Sequence, residues 1–160
     1  MKKFNVISGL PRAGTTLLCN LLNMNENFHV TPTSAILDSI KTLRGNFSHD
    51  ATWKAQNRIE LINNFSDGIK GFIEGYFKEK NVVFDKNRAW PSNIKLIDEI
   101  FKNNDTKIIW CYRDPVEIIG SIEANYQKTI LLENTDEQTA PGAFATLDRR
   151  IGTFISDGGI

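Results

Sequence analysis

Short apolar runs alternate along this chain with longer stretches in which apolar residues recur every three or four positions. Residues 4–8, Asn81-Val-Val-Phe84 and Lys107-Ile-Ile-Trp-Cys-Tyr112 have the length and composition of strands. Residues 14–24 read as a first helix, with Leu17, Leu18, Leu21 and Leu22 as its apolar stripe. Thr31-Pro-Thr-Ser34 reads as a loop whose Ser34 caps a second helix, and Gly45 is a natural stop for it. Apolar residues at 59, 62, 65, 69, 72, 73, 76 and 77 predict a further helix. Gly68, Gly71 and Gly75 weaken that helix unless they permit close packing, so one helix, or two broken near Ser66-Asp67, are the alternatives. Ser92 is read as the cap of a helix whose Ile94, Ile97, Ile100 and Phe101 face the core. Asp114-Pro115-x-Glu117 has the cap, the first-turn proline and the glutamate of a capping box, and its helix is expected to reach about Lys128. Asn134 to Pro141 reads as loop, and residues 143–155 as a final helix.

Strands separated by helices imply an α/β fold: a P-loop-like, three-layer arrangement with a mainly parallel sheet flanked by helices. The third strand is apolar almost throughout, as expected where both faces of a sheet are covered. At 160 residues one domain, residues 1–160, is expected. Lys+Arg and Asp+Glu both total 19, so no overall field favours nucleic acid or a membrane surface, and any basic site must be local. Two histidines and no CxxC pair argue against a metal site. Cys19 and Cys111 read as buried thiols. The short apolar run after Met1-Lys-Lys is interrupted by Pro11-Arg12, so neither signal peptide nor membrane span is expected, and the cytoplasm is the expected compartment.

Three polar clusters follow the three strands, and in open parallel sheets ligands bind beyond the carboxyl ends of the strands. The first is Gly9-Leu-Pro-Arg-Ala-Gly-Thr-Thr16, which has the glycine spacing of a phosphate-binding loop. Thr15 stands where a nucleotide triphosphatase has lysine, and the basic residue is Arg12, inside the loop. Backbone N–H groups, the Arg12 charge and the Thr15 and Thr16 hydroxyls suit an anion. The missing lysine counts against ATP hydrolysis and against a small-metabolite kinase. The second cluster pairs Arg113, at a strand end, with Ser121 on the next helix, a clamp suited to a second phosphate. A surface ion pair is the plainer reading of Arg113. The third is Asp85-Lys86-Asn87-Arg88, where Lys86 can neutralise charge on a transferring group and a solvated turn is the alternative.

Gly9-Leu-Pro-Arg-Ala-Gly-Thr-Thr-Leu17 resembles the 5′-phosphosulfate loop of sulfotransferases that use 3′-phosphoadenosine 5′-phosphosulfate. It is especially similar to the arginine-bearing loop of protein-tyrosine sulfotransferases and related bacterial and phage enzymes. The segment from Ile108 to Ser121 resembles the same family's 3′-phosphate segment, and Phe84-Asp-Lys-Asn-Arg-Ala-Trp-Pro91 its middle segment. The resemblance implies that backbone groups of Gly9, Leu10, Pro11, Arg12, Ala13, Gly14, Thr15 and Thr16, with the Arg12 side chain, bind the 5′-phosphosulfate. It implies that Arg113 and Ser121 bind the 3′-phosphate, and that Arg12 and Lys86 act in sulfuryl transfer to an acceptor hydroxyl or amine, with no metal.

The arginine-loop relatives carry a glutamate base soon after the first helix, where this chain reads His29-Val-Thr-Pro-Thr-Ser34. His29 is the candidate base, with Asp38 and His49 behind it; a structural histidine is the alternative. The domain is also shorter than the family's usual length, so it is either compact or C-terminally truncated, with a missing wall supplied by a partner subunit in a homo-oligomer. Arg149-Arg-Ile-Gly152 is faintly similar to a basic loop of the family's C-terminal segment. The acceptor, whether small molecule, glycan or peptide, is not named by the sequence. Its pocket is expected from residues 31–80, with Trp53, Phe65, Phe72 and Tyr76 as candidate lining, although helical spacing makes the last three core residues. The rival reading is a non-catalytic nucleotide-binding or interaction module that keeps the phosphate loops.

Overall fold

Apolar side chains alternating through a central strand, with helices of 3.6-residue periodicity on either side in sequence, give a layered structure. In a computed structural model, residues 3–56, 58–78, 80–101 and 106–133 are described. The loop and helix expected beyond residue 134, and the Arg149–Gly152 stretch, lie outside the described residues.

Four strands, β1 (Lys3–Gly9), β2 (Phe28–Thr31), β3 (Val82–Lys86) and β4 (Ile108–Cys111), form one sheet in the order β2-β3-β1-β4. The helices among the described residues are α1 (Thr15–Asn23), α2 (Ile36–His49), α3 (Ala51–Lys54), α4 (Arg58–Tyr76), α5 (Ile94–Phe101) and α6 (Pro115–Glu133). β1 and β2 both run parallel to β3, so the fold is α/β with a parallel sheet flanked by helices, as the sequence implied. The described residues divide into two compact units, one from residues 3–8 with 16–109, the other from residues 9–15 with 110–133.

The first unit holds the main core. Phe4 and Val6 of β1 and Val83 of β3 lie against Leu37 and Ile40 of α2, Ile69 and Ile73 of α4, and Ile97 and Ile100 of α5. Phe4 is the centre of an aromatic cluster, stacked on Phe101 at 5.0 Å and edge-on to Trp90 at 5.9 Å. Burying residues of this size contributes roughly 1.5–3 kcal/mol each. In the second unit Leu10 packs with Ile118 and Ile122 of α6, and Ala13 adds to the same cluster.

Several expectations are corrected. Phe28–Thr31 is a strand that four residues of mixed polarity did not announce; it is held by pairing with β3 from Val82 to Asp85. α2 passes through Gly45 and ends at His49, and the next residue, Asp50, accepts from the N–H groups of Thr52 and Trp53 with its carboxylate and so starts α3. Those two bonds, that of Trp53 first, hold the Asp50 carboxyl below its ordinary value. Ser34 precedes α2 by two residues and accepts from the Ile36 N–H at 3.1 Å, so it acts as a cap outside the formal boundary.

α4 is unbroken at Ser66-Asp67. Its glycines do not mediate close packing either, for a Cβ at Gly68, Gly71 or Gly75 would meet nothing within 4 Å. The register Phe65, Ile69, Ile73 and Phe77 turns inward, and Phe72 and Tyr76, read as core, are exposed. Ser92 lies in a single 3-10 turn before α5, and Ile94 is exposed while Leu96 takes a core position. α6 runs on past Lys128 to Glu133. Among the described residues β4 is an edge strand, and Ile108 and Trp110 are exposed, so its apolar sequence does not reflect cover on both faces. Cys19 is buried as expected, whereas Cys111 is only partly so.

Candidate functional site

In the second unit, the turn after β1 is shaped by backbone requirements at three residues. Gly9 has φ 155°, and a Cβ there would lie 2.7 Å from the Cys111 carbonyl oxygen and 2.9 Å from the Cys111 Cβ. No larger residue fits without moving β4's end. The Ala13 N–H then donates to the Leu10 carbonyl at 3.1 Å, closing a tight turn. Gly14, at φ 89°, redirects the chain into α1. Between them Arg12 stands at φ 67°, the single non-glycine with positive φ among the described residues. That conformation costs an L-residue roughly 1–2 kcal/mol, and such outliers gather at functional sites.

Two arginines and one face of α6 hold this turn. Arg12 Nε donates to the Ser121 hydroxyl at 3.0 Å, across 109 positions of sequence. Arg113 Nη1 donates to the Arg12 carbonyl at 3.1 Å, and Arg113 Nε donates to Glu117 Oε2 at 2.9 Å. Glu117 and Ser121 are one helical turn apart, so each presents its oxygen to one guanidinium. Asp114 caps α6, accepting from the Val116 N–H at 2.8 Å, and this sets where the helix begins. Glu117, which the sequence pattern assigned to a capping box, carries the Arg113 ion pair. Leu10 directs its side chain into the α6 cluster, leaving only its backbone for a ligand. Thr15 is buried, whereas Thr16 is exposed.

Lys86 belongs to the first unit. It ends β3 in register with Ile7 of β1, and it is a strand residue rather than part of a turn. The neighbouring chain is heavily tied. Ser8, the residue before the glycine turn, donates its hydroxyl to the Arg88 carbonyl at 3.0 Å, and the Asn87 N–H donates to the Ile7 carbonyl at 3.2 Å. Asn87 Nδ2 reaches the Ser34 carbonyl at 3.3 Å. Asp85 is fully buried. Its Oδ1 accepts from the Thr31 hydroxyl at 2.7 Å and its Oδ2 from the Trp90 indole N–H at 2.8 Å. Sequence reasoning treated Asp85 as part of a polar turn; the signal it carried was an acid directly following the apolar run Val82-Val-Phe84.

His29 is placed otherwise than expected. It lies within β2, not at a helix-to-loop junction, and it pairs with Val83. Lys86 is three residues further along β3, about 10 Å at the rise of a strand. The His29 ring meets the Phe77 ring edge-on at 5.7 Å. Burial, and then the charge of Lys80, push its pKa below the ordinary histidine value. The imidazole therefore has the character of a half-buried packing residue, and the structure does not bring it to Lys86. Asp38 is exposed on α2.

The first unit also contains a cavity of about 380 Å³ among α2, α4 and α5. Phe47, Phe65, Ile69 and Ile100 line it, with the Arg44–Glu99 ion pair in its wall. Of the four aromatics expected around an acceptor, only Phe65 lines this cavity. No group of three or more metal-ligating side chains occurs among the described residues, and no described helix is long and apolar enough to cross a membrane.

The fold is thus a parallel α/β sheet flanked by helices, with a glycine-bounded turn after its first strand. The chain belongs to the sulfotransferase family, whose model matches residues 6–150. No individual curated protein matches it.

Proposed function

We propose that this protein transfers a sulfuryl group from 3′-phosphoadenosine 5′-phosphosulfate to a hydroxyl or amine acceptor. The observation that carries this reading is the meeting of Arg12, Arg113 and Ser121. Arg113 pairs with Glu117, whereas Arg12 Nε is bonded to the neutral Ser121 hydroxyl, and a guanidinium fork is suited to a phosphate. Arg113 and Ser121 would take the 3′-phosphate. The backbone of Gly9–Thr15, the start of α1 at Thr15 and the Arg12 side chain would take the 5′-phosphosulfate. Arg12 then exchanges its bond to Ser121 for the ligand.

In the reaction, the acceptor oxygen or nitrogen bonds to sulfur while the bond from sulfur to the bridging phosphate oxygen breaks. The electron pair of that bond stays with the 5′-phosphate of adenosine 3′,5′-bisphosphate, and the acceptor proton passes to a base or to water. Lys86 and Arg12 would stabilise the charge that grows on the bridging oxygen, and positioning would supply much of the remaining rate. The roles of all these residues, the cytoplasmic setting and any self-association belong to this reading. The family resemblance of the three segments supports it, together with the match to the family as a whole.

Calorimetric titration with adenosine 3′,5′-bisphosphate, beside 5′-AMP and magnesium ATP, tests it. The bisphosphate should bind, the other two should bind weakly, and Arg113→Ala should remove most of the difference. Equal affinity for the bisphosphate and 5′-AMP would overturn the assignment of Arg113 and Ser121. Preference for magnesium ATP would replace it with a kinase-like site.

A further inference from the structure

Arg113 has five N–H donors, and two of them are spent within the protein, on Glu117 and on the Arg12 carbonyl. An arginine side chain otherwise samples many rotamers, and holding it still costs entropy that a ligand must supply on binding. The bond from Nε to Glu117 Oε2 fixes the plane of the guanidinium, and the bond from Nη1 fixes its rotation. Both partners are themselves placed firmly. Glu117 sits in the first turn of a helix capped by Asp114. The Arg12 carbonyl belongs to a turn whose neighbours Leu10 and Ala13 pack against α6.

We infer that Glu117 is a positioning residue: it presets Arg113 for the 3′-phosphate and thereby sets the preference for a 3′-phosphorylated nucleotide. This inference rests on the proposed function, in which Arg113 takes that phosphate. The opposite effect is also physically available to a carboxylate, since it competes with phosphate for the same fork. Geometry favours positioning. Glu117 engages the Nε edge while Nη1 is turned to the loop, so the guanidinium is braced from two sides. The ion pair is well exposed, at 41% for Arg113 and 63% for Glu117, so its electrostatic contribution is screened.

The test compares wild type, Glu117→Ala and Glu117→Gln by the ratio of affinities for adenosine 3′,5′-bisphosphate and 5′-AMP. Circular dichroism on each protein checks that it is folded. Glutamine keeps an oxygen that can accept from Nε, whereas alanine keeps nothing. For Glu117→Ala the ratio should fall about three- to tenfold, the scale of one exposed charge-assisted hydrogen bond, with 5′-AMP affinity unchanged. Glu117→Gln should restore most of it. A loss of equal size for both ligands would mean general damage and would overturn the inference, as would a ratio unchanged in both variants. Tighter bisphosphate binding by Glu117→Gln would show that the carboxylate competes with phosphate, and would also overturn it. A wild-type ratio near one would remove the reading of Arg113 itself, a failure distinct from the others.

Discussion

Arg113 Nη1 donates to the main-chain carbonyl of Arg12 at 3.1 Å, so the strand-end guanidinium braces the one left-handed, non-glycine residue of the turn. The two arginines that sequence reasoning assigned to separate phosphates are therefore parts of one structure. Arg12 completes the link by bonding to Ser121, two turns into the helix that Arg113 precedes. A ligand at either place would act on both.

The turn depends on close backbone approach at its start. Gly9→Ala should lower stability by roughly 1–3 kcal/mol, because the added methyl would meet the Cys111 carbonyl at 2.7 Å in a backbone conformation unfavourable to alanine. Urea unfolding of the two proteins gives the difference. A change below a few tenths of a kcal/mol would mean that the turn yields easily.

Asp85 is a support of the β3 end. Asp85→Ala should cost about 2–4 kcal/mol, since it strands the Trp90 indole N–H and the Thr31 hydroxyl at a buried position. Trp90→Phe removes one of those donors, so the double variant should lose less than the sum of the two singles. Equilibrium unfolding in a double-mutant cycle measures that coupling, and strict additivity would show the indole bond to be unimportant.

His29 ties stability to pH. Its folded pKa lies below the ordinary value of 6.5, so the unfolded chain binds the proton more readily. The stability it contributes is complete above about pH 6.5 and is lost as pH falls through the folded value. Urea midpoints at about pH 7.5 and about pH 5 should therefore differ more in wild type than in His29→Phe. Equal differences would show that the ring is as well solvated folded as unfolded.

The exposed glycines of α4 weaken a helix that needs none of them. Gly71→Ala should raise stability by up to about 1 kcal/mol, because the site is open and helical. A fall in thermal midpoint would reveal a contact at that face.

The strand-turn-helix beginning at Phe4 was legible in sequence because its chemistry is local: glycines at fixed spacing and an arginine between them. Asp114 and Pro115 likewise announced α6, as capping needs only neighbouring residues. β2 was not legible, since Phe28–Thr31 becomes a strand only by pairing with a segment more than fifty residues later. The helical spacing of α4 was clear, but which of its apolar residues turn inward was fixed by α2 and α5, and Phe72 and Tyr76 fell outside. The Glu117–Arg113 pair sat within a pattern that equally describes a helix cap. Only the position of the Arg113 side chain distinguishes the two.

The most direct test of sulfuryl transfer at this site uses radiolabelled 3′-phosphoadenosine 5′-phosphosulfate, with a panel of phenols, sugars and amines as acceptors. Wild type and Lys86→Ala are compared, and bisphosphate affinity is measured on the same preparations. Wild type should label an acceptor, and Lys86→Ala should keep its bisphosphate affinity while transfer falls about a hundredfold. Wild type that binds the bisphosphate yet labels no acceptor would contradict the account and leave a nucleotide-binding module in its place. Transfer undiminished in Lys86→Ala would contradict the role given to that lysine.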